Sequence, residues 1–174
     1  MRLFRTIFLG FTLSFAGMAN AEGIITNQAD IVDIAASISI GEIQAAKIAM
    51  QKAQDPEVKK FAEQRHKEHD AMNKELMQLN NKLGIPDDRS ERSVLIKKKN
   101  QLTLKRLNDK TGNEFDEVYI EDQVMMHKLA LETLEHSLIP SAEDTQLKAL
   151  LRKSHEKIAS HLKHAQALEE KVDN

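Results

Sequence analysis

The chain has 174 residues, a formal charge of −2 from 25 Lys and Arg against 27 Asp and Glu, and no Cys. Without Cys there is no disulfide, thiolate ligand, catalytic thiol or lipid-modified N-terminal cysteine. Acidic and basic residues are interspersed, so no basic face of the kind that nucleic acid or an anionic membrane surface selects is expected.

The first residues read MRLFRTIFLGFTLSFAGMANA. Arg2 and Arg5 make a positive start, Ile7 to Met18 an apolar stretch, and Ala19-Asn20-Ala21 a small-x-small cleavage pattern. The apolar stretch is shorter than the ~20 residues that cross a bilayer. This pattern predicts a signal peptide over 1–21 and a periplasmic or secreted mature chain over 22–174 without a membrane anchor. The mature chain has 153 residues, with 23 Lys and Arg against 27 acids, a charge of −4. That length suits one domain with a real core. Its only aromatics are Phe61, Phe115 and Tyr119, too few to support stacking of sugars or bases.

The mature chain shows no strand-like alternation and four long stretches of helical period, which predict an all-α fold. The first runs from about Gln28 to Ala53, with Ile31, Ala35, Ile38, Ala45 and Ala49 on its apolar stripe. Asp55-Pro56 reads as an N-cap with Pro at the first helical position. It starts a second helix to Leu83, with Val58, Ala62, Leu76 and Leu83 inward, and Gly84 and Pro86 stop it.

Residues 85–112 read as a long connection with its own helix. Asp88-Arg-Ser-Glu91 fits a capping box, Leu95, Leu102 and Leu107 are expected to line its inner side, and Gly112 ends it. The third long helix starts near Thr111 to Glu114 and runs to Leu138, with Ile120, Val124, Leu131, Leu134 and Leu138 inward. Pro140 breaks it, and Ser141 is the expected cap of the fourth, which carries Leu147, Leu150, Ile158, Ala165 and Leu168. Two antiparallel hairpins joined by a long crossover make a ferritin-like four-helix bundle.

One polar residue interrupts each stripe near the middle of its helix. Glu42 lies on the stripe of Ile31, Ala35, Ile38 and Ala49 at ~100° per residue. His69 is seven residues from Ala62 and from Leu76, and His127 seven from Ile120 and from Leu134. His161 is placed likewise between Ser154 and Leu168. Mid-helix positions share one level in an antiparallel bundle, so the four are expected to converge in one layer of the core. Three neutral imidazoles and a carboxylate suit a single Zn, Cu, Fe or Mn ion. A di-iron centre needs Glu-x-x-His on two helices, and three residues before these histidines stand His66, Val124 and Ile158. The same residues admit a second reading, a Glu42–Arg65 pair flanked by hydrogen-bonded imidazoles, with no ligand. His136, His155 and His164 fall off the stripes as surface residues, and His66 is a weak further ligand candidate. Asp116 and Tyr119 lie too far along the axis to join the layer, and Tyr119 is expected in the core with a hydrogen-bonded hydroxyl.

Phe61-Ala62 with Glu68-His69 and Asn73, Phe115-Asp116 with Tyr119 and His127, and His161 with Ala165-Gln166 and Leu168 resemble the family called domain of unknown function 4142. The resemblance spans about residues 28–168 and implies an exported bacterial protein with a ferritin-like bundle. Glu42 falls where that family has its first-helix glutamate. Glu68 stands where the family usually has Asp, and Arg65 where it usually has an apolar residue.

Two functions of different class are expected from these residues. One is a metal-binding envelope protein that buffers, stores or senses a transition metal at Glu42, His69, His127 and His161. The other is a non-catalytic structural or stress-protective envelope factor that meets a protein partner or a second copy of itself through its outer faces. No Ser-His-Asp set, phosphate loop or Gly-rich turn supports hydrolase or nucleotide chemistry, and a third function, a metal-dependent enzyme such as an oxidase, has no substrate-binding signature.

Overall fold

The computed structural model describes residues 27–86 and 90–172. The expected signal peptide and Asp88 lie outside the described residues. Within them the chain is all-helical, without a strand. Helix α1 spans Gln28–Lys52, α2 Pro56–Leu83, α3 Glu91–Asn108 and α4 Gly112–Thr133. Helix α4 runs on through a π-helical turn, Leu134–Leu138, into the short α5, Ile139–Ser141, and α6 spans Thr145–Val172.

Local chemistry sets these boundaries. Asn27 caps α1 by accepting the Asp30 N–H at 2.8 Å. Asp55 caps α2 through the N–H groups of Glu57 and Val58, with Pro56 inside the first turn. Gly84 ends α2 at φ +64°, the left-handed conformation that glycine adopts without steric cost. Helix α3 is capped by Ser90, whose hydroxyl accepts from the Ser93 N–H at 3.0 Å, so the cap sits two residues beyond the expected Asp88. Helix α3 ends at Asn108, and Gly112, at φ +65°, opens α4 instead of closing α3.

The boundary at Pro140 also differs from the expectation. Proline lacks the N–H that an α-turn would use, and the chain widens ahead of it, with the Ile139 N–H reaching the Leu134 carbonyl. The cap of α6 is Asp144, not Ser141. Its carboxylate accepts from the N–H groups of Gln146 at 2.8 Å and Leu147 at 2.9 Å. Ser141 belongs to α5, and its carbonyl accepts from the Gln28 amide.

Helix α1 packs against α2, α4 against α6, and the two pairs meet through α2 with α6 and α1 with α4. Helix α3 lies along α1. Contrary to the expected inner face, Leu95 and Leu102 are 62% and 70% exposed, while Ser93, Asn100 and Leu107 face inward. The surface of α1 explains this inversion. It offers α3 the Ser37 carbonyl, which accepts from the Asn100 amide at 2.9 Å, and Asp33, bonded by the Ser93 hydroxyl, the Ser90 N–H and Lys97. Acceptors on one side call for donors on the other.

The apolar core is split in two. One half gathers Ile31, Ile34, Leu76, Leu134, Leu147 and Ile158. The other gathers Ala45, Phe61, Ala62, Phe115, Val124 and Ala165. On every long helix the polar residue singled out from the stripe lies in sequence between the residues of the two halves.

Candidate metal centre

Helical period brings His69 of α2, His127 of α4 and His161 of α6 inward at the break between the two apolar halves. Each ring is only 1–2% exposed. The three rings meet edge to face, with centroids 5.2–5.7 Å apart. One ring nitrogen from each lies within 4.8 Å of the other two. This is the His/Cys/Asp/Glu group with metal-ligand spacing among the described residues.

Hydrogen bonding makes this cluster unusual for a structural core. Nδ1 of His127 lies 2.7 Å from the Gln123 carbonyl, which can only accept. Nδ1 must therefore carry the proton, and Nε2 is left as a bare lone pair. Among the described residues that Nε2 has no hydrogen-bond partner, and neither do the two ring nitrogens of His69 or Nδ1 of His161. Nε2 of His161 lies 2.8 Å from Oε2 of Glu68 but off the N–H direction, so the contact is close without being a hydrogen bond. An unpaired buried donor or acceptor costs about 1–3 kcal/mol. Four ring nitrogens are thus left without a hydrogen-bond partner among the described residues, and a fifth meets only Glu68.

The local field keeps His69 and His161 neutral. Burial pushes His69 far below the usual imidazole range, and the neighbouring His127, Arg65 and Lys157 add to it. Burial lowers His161 in the same way, helped by Arg65, His69, His127 and Lys157. Neutral rings offer lone pairs to a cation.

Glu42 is buried in the same core but stands outside this triangle of nitrogens. Its Oε2 accepts from Nε2 of Gln123 at 2.8 Å. Arg65 is not Glu42's ion-pair partner. Its NH2 bonds Glu68 at 2.6 Å, one turn along the same helix, and its guanidinium covers the Phe61 ring at 4.8 Å. The expected Glu42–Arg65 pair is thus replaced by two pairs, Gln123 with Glu42 and Arg65 with Glu68. Glu68 also faces Lys157 at 3.7 Å, and its side chain is 33% exposed.

Tyr119 is buried without a partner for its hydroxyl, unlike the expected hydrogen-bonded tyrosine. Burial raises its pKa well above the ordinary value, and the charge of Glu42 adds to this. Asp116 serves the fold. Its carboxylate accepts from the N–H groups of Gln54 and Asp55 and holds the α1–α2 turn against α4. His136 and His164 are exposed, and His66 and His155 half-buried, none of them in the triangle.

Gln123 and Glu68 are the two site residues that the reading of the stripes passed over. Both signals were present in the spacing. Gln123 precedes His127 by four residues and Glu68 follows Arg65 by three, the intervals that stack side chains on a helix.

The chain belongs to the family described as domain of unknown function DUF4142, whose model matches residues 14–168. No curated protein and no solved structure matches it.

Proposed function

We propose that the protein is an exported metal-binding protein that holds one transition-metal ion between His69, His127 and His161. The observation that carries this reading is the committed tautomer of His127. A backbone carbonyl takes the Nδ1 proton and leaves Nε2 free toward a core in which two further imidazoles are unpaired. A ligating histidine characteristically has this outer-shell carbonyl. The four long helices, with α3 as the crossover, are read as a ferritin-like four-helix bundle, whose core is where such folds build metal sites.

Three imidazoles suit Zn or Cu better than Mn, which favours oxygen donors. An ion about 2.0–2.1 Å from each nitrogen sets the nitrogens about 3.3 Å apart. The charges around the triangle are Arg65 and Lys157 against Glu42 and Glu68, so the layer is balanced before a dication enters. With Glu42 engaged by Gln123, the fourth ligand position falls to water or to Glu68. A periplasmic or secreted location follows from the signal pattern of residues 1–21. The role is buffering, storage or sensing of the metal rather than catalysis.

Equilibrium dialysis against Zn, Cu, Fe and Mn tests the reading. One ion per chain is expected for the wild type, with affinity that falls as the imidazoles protonate, and strong loss in His127→Leu. Metal should also raise the melting temperature, because it binds the folded chain alone. No uptake by the wild type, together with a stable His127→Leu protein, overturns the proposal and leaves a structural polar layer.

A further inference from the structure

Helix α3 is amphipathic in the wrong direction for a core helix. It turns Ser93 and Asn100 toward α1 and leaves Leu95 and Leu102 in solvent. The two leucines are seven residues apart, two turns or roughly 10 Å along one line of the helix. Four cations flank that line within about 80°, the exposed Lys98 and Lys105 on one side and the half-buried Arg92 and Lys99 on the other. Lys105 pairs with Asp109 at the surface, a bond that exchanges readily with water. Arg106 turns away to the buried Asp122, and Lys97 to Asp33. Glu91, at the start of the helix, is the one acid among the eighteen residues of α3, against six Lys and Arg. The chain as a whole is negative, so this strip is a local reversal of charge.

We propose that the outward face of α3 docks on an anionic phospholipid surface, with Leu95 and Leu102 dipping into the interface and the flanking cations meeting the headgroups. A peripheral amphipathic helix needs both parts, exposed apolar side chains on one line and long cationic side chains that reach back to the polar level. A nucleic acid or another acidic polymer would be served by the cations alone and would give the leucines no role. This mode needs no spanning segment, and no helix among the described residues is long and apolar enough to cross a membrane. It is independent of the metal reading.

Co-sedimentation of the purified chain with vesicles tests the proposal. Vesicles of equal parts phosphatidylglycerol and phosphatidylcholine should retain the protein at least tenfold better than phosphatidylcholine alone, since each basic residue near such a surface adds severalfold. Binding should weaken with salt. Leu95→Ser/Leu102→Ser and Lys98→Glu/Lys105→Glu should each lose roughly tenfold in partitioning. Both should melt like the wild type, because these side chains face outward. If the leucine pair variant melts lower, Leu102→Gln alone carries that arm. Absence of binding to the anionic vesicles overturns the proposal. So does binding unchanged in both variants, which would place the contact elsewhere. Binding that depends on the lysines but not the leucines, with equal retention on heparin, would identify a face for acidic polymers and overturn the lipid assignment.

Discussion

Gln123 holds Glu42: its side-chain amide donates to the buried carboxylate at 2.8 Å, while its backbone carbonyl takes the proton of His127. One residue of α4 therefore orders both an acid of α1 and an imidazole of its own helix. Gln123→Leu strands the Glu42 carboxylate in a dry core and should cost about 2–3 kcal/mol. The pair Glu42→Leu/Gln123→Leu removes donor and acceptor together and should cost less than the sum of the single changes. Urea unfolding of the four proteins measures the cycle. Simple additivity would mean that the two side chains do not interact.

Stability should depend on pH in the imidazole range. His69 and His161 are held neutral in the folded chain by burial, whereas the unfolded chain titrates near 6.5. Below that pH the unfolded chain takes up protons that the folded chain refuses, so stability is full above about 6.5 and falls as the pH drops. Each ring contributes about 1.4 kcal/mol per pH unit, and the two together about 2.7. Urea unfolding with a chelator present, between pH 7.5 and 5, avoids most carboxylate titration and reads this slope. His161→Leu should roughly halve it. Equal stability at both ends would show that protons reach the rings without unfolding.

Gly41 lets α3 lie down on α1. A Cβ there would stand 2.3 Å from Nδ2 and 2.4 Å from Cγ of Asn100, whose amide is committed to the Ser37 carbonyl. Alanine favours a helix interior by about 1 kcal/mol over glycine. Gly41→Ala should nevertheless destabilise the protein by about 1–2 kcal/mol, because Asn100 must give up a buried hydrogen bond. In an Asn100→Ala background the same substitution should become neutral or stabilising. Thermal unfolding decides this, and a penalty of the same size in both backgrounds would place the clash elsewhere.

The sequence carried the positions of the long helices and their inward stripes because period 3.6 and the Asp55-Pro56 and Gly84 signals are local. It also placed His69, His127 and His161 at one level, since seven-residue spacing keeps a side chain on its stripe. It did not carry the partners. Whether Arg65 turns to Glu42 or to Glu68 depends on side-chain reach across helices, and the neighbour one turn away on the same helix took the guanidinium. The inner face of α3 was misread for a related reason. Leu107 is buried as expected, but Leu95 and Leu102 are not, because a helix placed on the outside of α1 meets a carbonyl and a carboxylate and turns Ser93 and Asn100 toward them. The caps Ser90 and Asp144 show the same limit, because each competes with an equally plausible neighbour within three residues.

Arg65 and Glu68 should tune metal binding in opposite directions. The guanidinium is a buried positive charge that bears on both His69 and His161, and it would repel a dication. Glu68 offsets it through the 2.6 Å pair and touches His161 as well. Arg65→Met removes the charge while keeping a long apolar side chain against Phe61, where sulfur packs well. It leaves Glu68 partly in solvent and facing Lys157, so no buried anion is stranded. Affinity for Zn should rise at least tenfold in Arg65→Met and fall at least tenfold in Glu68→Gln, since a unit charge about 10 Å from a dication interacts with it by about 3 kcal/mol at an effective dielectric of about 20. A structural role alone would instead lower the melting temperature of both variants in the absence of metal. Competition titration with a chromophoric chelator, run beside unfolding of the metal-free proteins, separates the two. Equal affinities in wild type and both variants would mean that the ion, if taken up, sits away from the triangle.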